Sequence, residues 1–354
     1  TNIADRKSRQ MLHRAKAMNP EALVVAAGCY VQTDPEGAAK DPMIDLLIGN
    51  DQKKHIVSIV ENALAEGKKD PLRYVSDPRD QTEYEDFVLQ KTREHTRVSV
   101  KIQDGCDQFC SYCIIPHARG RSRSRQEASV LSEIRSLGEK GYREVVLTGI
   151  HLSSYGLDRA DVRYNEMASE GSFTNKRLAD LIEAVGDLEG ISRIRLGSLE
   201  PRIITEEFLE RLRGIPAFCD HFHLSLQSGS DSVLRRMNRH YRTDEYLEKT
   251  KLIRSYYPSA ALTTDVIVGF PGETEEEFEQ TREFLSACDF YEAHVFKYSR
   301  RKGTVADRME GQLTERVKSE RSKILIDDAI RRKRAFMEGQ IGKETEVLTE
   351  EETV

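Results

Sequence analysis

Hydrophobic residues along this chain repeat with two periods. From residue 96 onward, short apolar runs at 98–102, 144–148, 191–196, 221–226, 262–268 and 293–298 read as strands. Between them, 126–140, 176–187, 205–214, 243–256 and 274–287 carry the helical period. Such regular strand–helix alternation predicts an α/β fold, a parallel sheet with helices outside it. Polar and small residues recur after the strands, which favours an incomplete barrel over an open sheet. Residues 314–338 read as one long charged helix and 156–175 as a surface insertion.

The earlier part of the chain predicts a small α/β domain over 1–70. Residues 4–18 form an amphipathic helix with Met11, Leu12 and Ala15 on one face. A buried-type strand over 23–27 ends at Gly28-Cys29, a second follows at 45–49, and 51–66 is a helix. Its inner stripe is Ile56, Val57, Ile59, Val60 and Leu64. Residues 71–94 are polar and aperiodic and read as a linker; the barrel occupies 95–338. Strand-like alternation starts again in 339–354. With Thr1 rather than Met at the start, the chain reads as a fragment of a longer protein.

Composition narrows the class. In 354 residues, 32% are charged, and the mean hydropathy is −0.58, as in a soluble globular protein. No apolar run approaches a membrane span and no signal peptide precedes the first helix. Three of the six cysteines cluster and three are scattered, a usage that fits a reducing cytoplasm rather than a disulfide framework. The net charge of −6 leaves any nucleic-acid binding to local basic clusters.

The clustered cysteines carry the sharpest chemistry. Cys106, Cys110 and Cys113 follow the first barrel strand with C-x3-C-x2-C spacing. Three thiolates on one loop can hold three irons of a [4Fe–4S] cubane and leave the fourth open. His117 makes a Cys3His zinc site a chemical alternative, although no second C-x2-C knuckle accompanies it. Ligands in parallel β/α folds gather at the carboxyl ends of strands. The candidates there are Gly149 and His151 after the second strand, Ser198 and Glu200 after the third, and Gln227 after the fourth. Asp265, Ile267 and Gly269 lie in and after the fifth, and Tyr112 stands in the cysteine loop. A carboxylate inside an apolar strand needs a partner, so Asp265 either faces a cofactor or pairs with a core arginine. Arg119, Arg121, Arg123 and Arg125 alternate with small residues directly after the loop, a pattern suited to gripping RNA phosphates or a carboxylate. Arg331 to Arg334 read as a solvated helix face. Cys219, Cys288 and His223 read as packed core residues.

The cysteine spacing, Gly28-Cys29, the 104–116 loop, His223 to Gly229, Thr264 to Glu273 and Lys297 to Thr304 resemble the radical S-adenosylmethionine (SAM) methylthiotransferases that modify tRNA. Residues 2–10, 221–229 and 298–304 point to the branch acting on N6-threonylcarbamoyladenosine (t6A). The resemblance implies a partial (β/α)6 radical SAM barrel, a truncated methylthiotransferase domain before it and the start of a TRAM-like β domain after it. It implies SAM and two [4Fe–4S] clusters. Cys106, Cys110 and Cys113 would hold the cluster that reduces SAM to methionine and a deoxyadenosyl radical, which takes hydrogen from C2 of adenosine 37. Cys29 would be one ligand of the second cluster, which supplies methylated sulfur; its other ligands are expected upstream of Thr1. The implied partners are tRNA and a flavodoxin- or ferredoxin-type electron donor, with a cytoplasmic monomer expected. Three alternatives stay open: the isopentenyladenosine enzyme, the ribosomal-protein aspartate enzyme, and a non-catalytic, zinc-stabilised RNA-binding protein.

Overall fold

The computed structural model describes residues 2–66, 72–86, 96–160, 163–168 and 172–349. Packing divides these into two units. The first is built from the described residues up to 86 together with 105–121 and 299–307; the second from 96–104, 122–298 and 308 onward. The cysteine loop therefore packs with the N-terminal unit, although its neighbours in sequence are barrel strands.

The first unit is a three-stranded parallel sheet, β1 (Val25–Ala27), β2 (Leu46–Ile48) and β3 (Leu72–Tyr74), with helices α1 (Asn2–Met18) and α2 (Ile56–Glu66). The central strand is apolar at every position because both its faces are covered. Leu47 joins Ala26, Val31 and Ile44 on one side; Leu46 and Ile48 join Ile59 and Ala63 on the other. β3 lies in the stretch expected to be a linker. Leu72 and Tyr74 pack onto the second of these cores, but three residues are too few for their alternation to be read. The expected stripe of α2 is rotated: Ile59 and Val60 turn inward with Ala63, whereas Val57 and Leu64 are exposed.

The second unit holds six parallel strands. β4 (Arg97–Lys101), β5 (Glu144–Thr148) and β6 (Arg193–Leu196) pair in that order, as do β7 (His221–His223), β8 (Ala261–Val268) and β9 (Glu292–Lys297). A parallel bridge between Leu199 and Leu224 joins the two halves. Chain order is thus spatial order, and among the described residues β4 and β9 do not pair, so the barrel is incomplete as expected. Around it lie α3 (Glu127–Glu139), α4 (Lys176–Gly186), α5 (Glu206–Arg213), α6 (Thr243–Tyr256), α7 (Glu275–Ala287) and α8 (Glu315–Glu338). Their starts are fixed by side-chain caps: Asn175, Thr205, Thr274 and Thr314 each accept an N–H from the third residue of the helix. Along β8, Leu262, Val266 and Val268 enter the main core, which leaves Thr263, Asp265 and Ile267 on the opposite, luminal face.

Two expectations change here. The segment 156–175 is no mere surface insertion: Leu157, Tyr164 and Ala168 form a small core with Phe173. Residues 339–349 form no strand, and Ile341 and Val347 are exposed, since no neighbouring strand offers a ladder among the described residues. The remainder of that expected strand, 350–354, lies outside the described residues.

Candidate functional site

The three-cysteine loop is closed at its base by the Cys106 N–H donating to the Gly120 carbonyl at 3.1 Å. Gly105, with φ +70°, lies so close to Arg121 that a Cβ would fall 1.8 Å from its carbonyl oxygen. Only glycine fits there. Cys106 and Cys110 are buried, Cys113 is half-buried, and none of the three is in a disulfide. The Gln108 N–H donates to Cys106 Sγ at 3.4 Å, a bond that favours a thiolate. Phe109, at φ 48°, is held left-handed, a strained conformation for an aromatic residue. Tyr112 is half-buried in the same loop. Gly105→Ala is expected to cut iron and sulfide content about tenfold after anaerobic reconstitution, through strain of about 1–3 kcal/mol at the loop base, while far-UV circular dichroism stays unchanged.

Three thiols on one short loop are the donor set of a [4Fe–4S] cluster with one iron left open. Among the described residues, His223, Asp265 and His294 bring three possible ligand atoms within 4.8 Å of one another. His117 is exposed and lies edge-on to Phe109.

Cys29 opens a one-turn helix, Cys29–Thr33, after Gly28 at φ 92°. Its thiol lies 3.6 Å from Asn50 Nδ2, which also donates to the Ala118 carbonyl at 2.8 Å, while Lys53 donates to Asn50 Oδ1. Asn50 thereby ties the strand end carrying Cys29 to the short helix Ile115–Arg119 of the cysteine loop. This role was not legible in the sequence, because a lone Asn after a strand reads as a turn. Cys29 alone cannot hold a second cluster: Cys219 and Cys288 are buried in the other unit, where desolvation raises both thiols, Cys288 to about 12.

At the carboxyl ends of the strands the expected residues separate into two groups. Gln103, fully buried and not anticipated, accepts the N–H groups of Ile150 and His151 at 2.9 and 2.8 Å. Gly149 is glycine because a Cβ would press on Gln103, not to admit a cofactor. His151 is buried: its Nδ1 bonds Ser154 and its ring lies edge-on to Tyr164 at 4.8 Å. Desolvation, then Arg239 and Arg202, pulls its pKa to about 3, so the ring is neutral.

Glu200 is also corrected. One carboxylate oxygen accepts Arg202 Nε at 2.8 Å; the other accepts the Arg202 N–H and the Tyr164 hydroxyl. An acid so occupied anchors the 156–175 segment rather than offering itself to a ligand. Gly269, at φ +72°, is buried, and a Cβ would strike Lys318 of α8 at 2.4 Å, so packing accounts for it.

The second group faces the lumen. Gln227, left-handed at φ 75°, is clamped by its N–H to the Asp265 carbonyl and by the Ile267 N–H to its own carbonyl. Ser198 and Ile267 are half-buried on strand ends. Among the described residues Asp265 pairs with no arginine; its carboxylate lies 3.3 Å from His223 Nε2, and His223 stacks on His294. His223, expected in the core, is luminal.

The arginine run divides in the same way. Arg121 is exposed, bonded to Asp107 at 3.0 Å and lying over the Phe109 ring; Arg119 is half-buried. Arg123 and Arg125 are not available to RNA. Arg123 is buried near Asp104, and Arg125 forms a buried ion pair with Glu133 and bonds Ser129. A two-residue ribbon, Gln103–Asp104 against Arg123–Ser124, turns both inward.

Comparison with known proteins agrees with this geometry. Residues 100–285 match the Radical SAM superfamily. The structure of the radical SAM methyltransferase TsrM from Kitasatospora setae, with cobalamin and a [4Fe–4S] cluster bound, superposes with TM-score 0.62 at 16% identity, over 86% of this chain and 60% of that one. The threonylcarbamoyladenosine tRNA methylthiotransferase MtaB of Bacillus subtilis is 40% identical over 92% of this chain and 69% of its own length. The tRNA-2-methylthio-N6-dimethylallyladenosine synthase of Finegoldia magna is 35% identical over 90% of this chain and 66% of its own. The chain belongs to the radical SAM superfamily and, within it, to the tRNA methylthiotransferases. Enzymes of the superfamily use a [4Fe–4S] cluster and SAM, and two clusters are typical of these relatives.

Proposed function

We propose that this protein adds a methylthio group to C2 of N6-threonylcarbamoyladenosine at position 37 of tRNA. The observation that carries the chemistry is the glycine-locked loop that gathers Cys106, Cys110 and Cys113, none of them in a disulfide. The substrate rests on 40% identity to the B. subtilis enzyme across most of the chain. When bound, the cluster and SAM supply a one-electron cleavage that starts radical chemistry.

The chain's own residues do the positioning. The three cysteines would ligate the cluster, and Gly105 and Gly120 would hold the loop in shape around it. Gln227, Asp265, Ile267 and Ser198 would meet SAM or substrate, and Arg119 and Arg121 would contact RNA phosphates. Cys29 would give one thiolate to a second cluster. No described helix is long and apolar enough to cross a membrane. The protein would work as a cytoplasmic monomer served by a flavodoxin- or ferredoxin-type donor.

Nucleoside analysis of tRNA from a deletion strain tests the substrate. The methylthio form of threonylcarbamoyladenosine should vanish while its unmethylthiolated parent accumulates. If that form persists and methylthio-isopentenyladenosine disappears, the isopentenyladenosine reading replaces this one.

A further inference from the structure

Three strands of the second unit bring two imidazoles and a carboxylate together inside the lumen. In the parallel register His223 of β7 lies beside Thr263 of β8, and Asp265 of β8 lies beside His294 of β9. Alternation along the strands puts the three side chains on one face. One ligand atom from each falls within 4.8 Å of the others. We propose that His223, Asp265 and His294 form a binding site for a divalent first-row transition cation such as Zn2+, built without the cysteine loop. The methylthiotransferase reading does not require this ion, and the proposal does not rest on the substrate.

Donor type and spacing are the first argument. Two imidazoles and one carboxylate make a three-ligand set with open positions, as used by catalytic zinc and non-haem iron sites. His223 Nε2 and Asp265 Oδ2 stand 3.3 Å apart. Two ligands on one tetrahedral ion, each about 2.0–2.2 Å from it, are separated by about 3.3–3.6 Å. An ion between them would replace the proton of an ordinary histidine–carboxylate bond. His294 is the adjustable member. It is exposed on the edge strand and stacks on His223 with ring centres 5.9 Å apart, so a change of rotamer brings its nitrogen onto the ion.

The support behind the ligands is the second. The other ring nitrogen of His223, Nδ1, lies 2.9 Å from the Thr263 hydroxyl, and that hydroxyl lies 3.3 Å from His221 Nε2. Thr263 can donate to His221 and accept from His223 Nδ1, which leaves the Nε2 lone pair of His223 for a metal. Ligating histidines are oriented by such a bond from their second nitrogen. Run in reverse, the relay puts on Nε2 a proton that the ion would displace. A cavity of about 640 Å3 at the amino ends of the strands is lined by His221, His223, Thr263 and His294 and gives an ion its way in. Two arginines line it as well, and Glu144 partly offsets them, at 2.7 Å from Arg195 and 4.0 Å from Arg97. Asp265 lies two residues nearer the carboxyl ends than the partner of His223 does, and the ion needs only one of its oxygens. The other stays available toward the mouth.

Zinc is the probe. Titrated into the anaerobically reconstituted protein, it should add about one zinc per chain while iron and sulfide stay constant. Anomalous diffraction at the zinc edge should place that ion among His223, Asp265 and His294. His294→Ala changes an exposed side chain and should weaken zinc binding at least about 100-fold, with iron content and far-UV circular dichroism unchanged. Thr263→Val keeps all three ligands and should weaken it about 10-fold. Failure to bind zinc while the cluster is intact overturns the site. Equal zinc affinity in the parent and in His294→Ala overturns it too. So does zinc taken up only as iron is lost, which marks exchange at the cysteines, or an anomalous peak away from the three side chains.

Discussion

Cys110→Ala should abolish reductive cleavage of SAM, a fall of roughly a thousandfold or more, equal to at least about 4 kcal/mol in the barrier. In a protein that supplies the remaining ligands of the second cluster, Cys29→Ala should leave cleavage near the parental rate and stop transfer of the methylthio group. The two variants separate because the thiols sit in different surroundings. Cys110 belongs to the glycine-closed loop with Cys106 and Cys113; the Cys29 thiol lies against Asn50 at the end of β1. Deoxyadenosine release measured anaerobically reads the first step and nucleoside analysis of the tRNA reads the second. Equal loss of deoxyadenosine in both variants would contradict this division of labour.

Arg125→Met should destabilise the barrel unit by about 3–5 kcal/mol, because it strands the Glu133 carboxylate in the interior. The pair is among the most deeply buried of the molecule, with side chains 2% and 3% exposed. Glu133→Gln should cost less, since the amide still accepts from Arg125. Chemical denaturation followed by circular dichroism checks both. Affinity for tRNA, measured well below the melting temperature, should not change. Arg121→Met should give the opposite result, with little change in stability and weaker RNA binding. If Arg125→Met weakened RNA binding without loss of stability, the buried geometry could not be its role.

Much of the barrel was legible because its strands and helices are long enough to show their periods. The expected strands at 144–148 and 262–268 and the helices at 176–187 and 243–256 return within a residue or two. β3 was missed because three residues cannot show a period, and α2 was rotated because apolar residues at nearly every position blur the inward face. The cysteine triplet could be read because three thiols on one short loop serve few purposes. Rim residues were harder. Glycine at 149 and 269 answers to Gln103 and Lys318, partners distant in sequence, and Glu200 is consumed by Tyr164 and Arg202. The arginine run misled because alternation with small residues describes a paired ribbon as well as an RNA grip.

The hydrogen bond from Asn50 to Ala118 has a practical consequence for anyone trimming this protein. A chain shortened to begin at Thr96 would keep every cysteine of the triplet and every barrel strand, yet would lose the sheet on which the Ile115–Arg119 helix rests. Colourless, iron-free preparations of such a piece would report a missing floor, not an absence of redox chemistry. Sequence boundaries drawn around the barrel alone cut through the unit in which the cysteine loop packs.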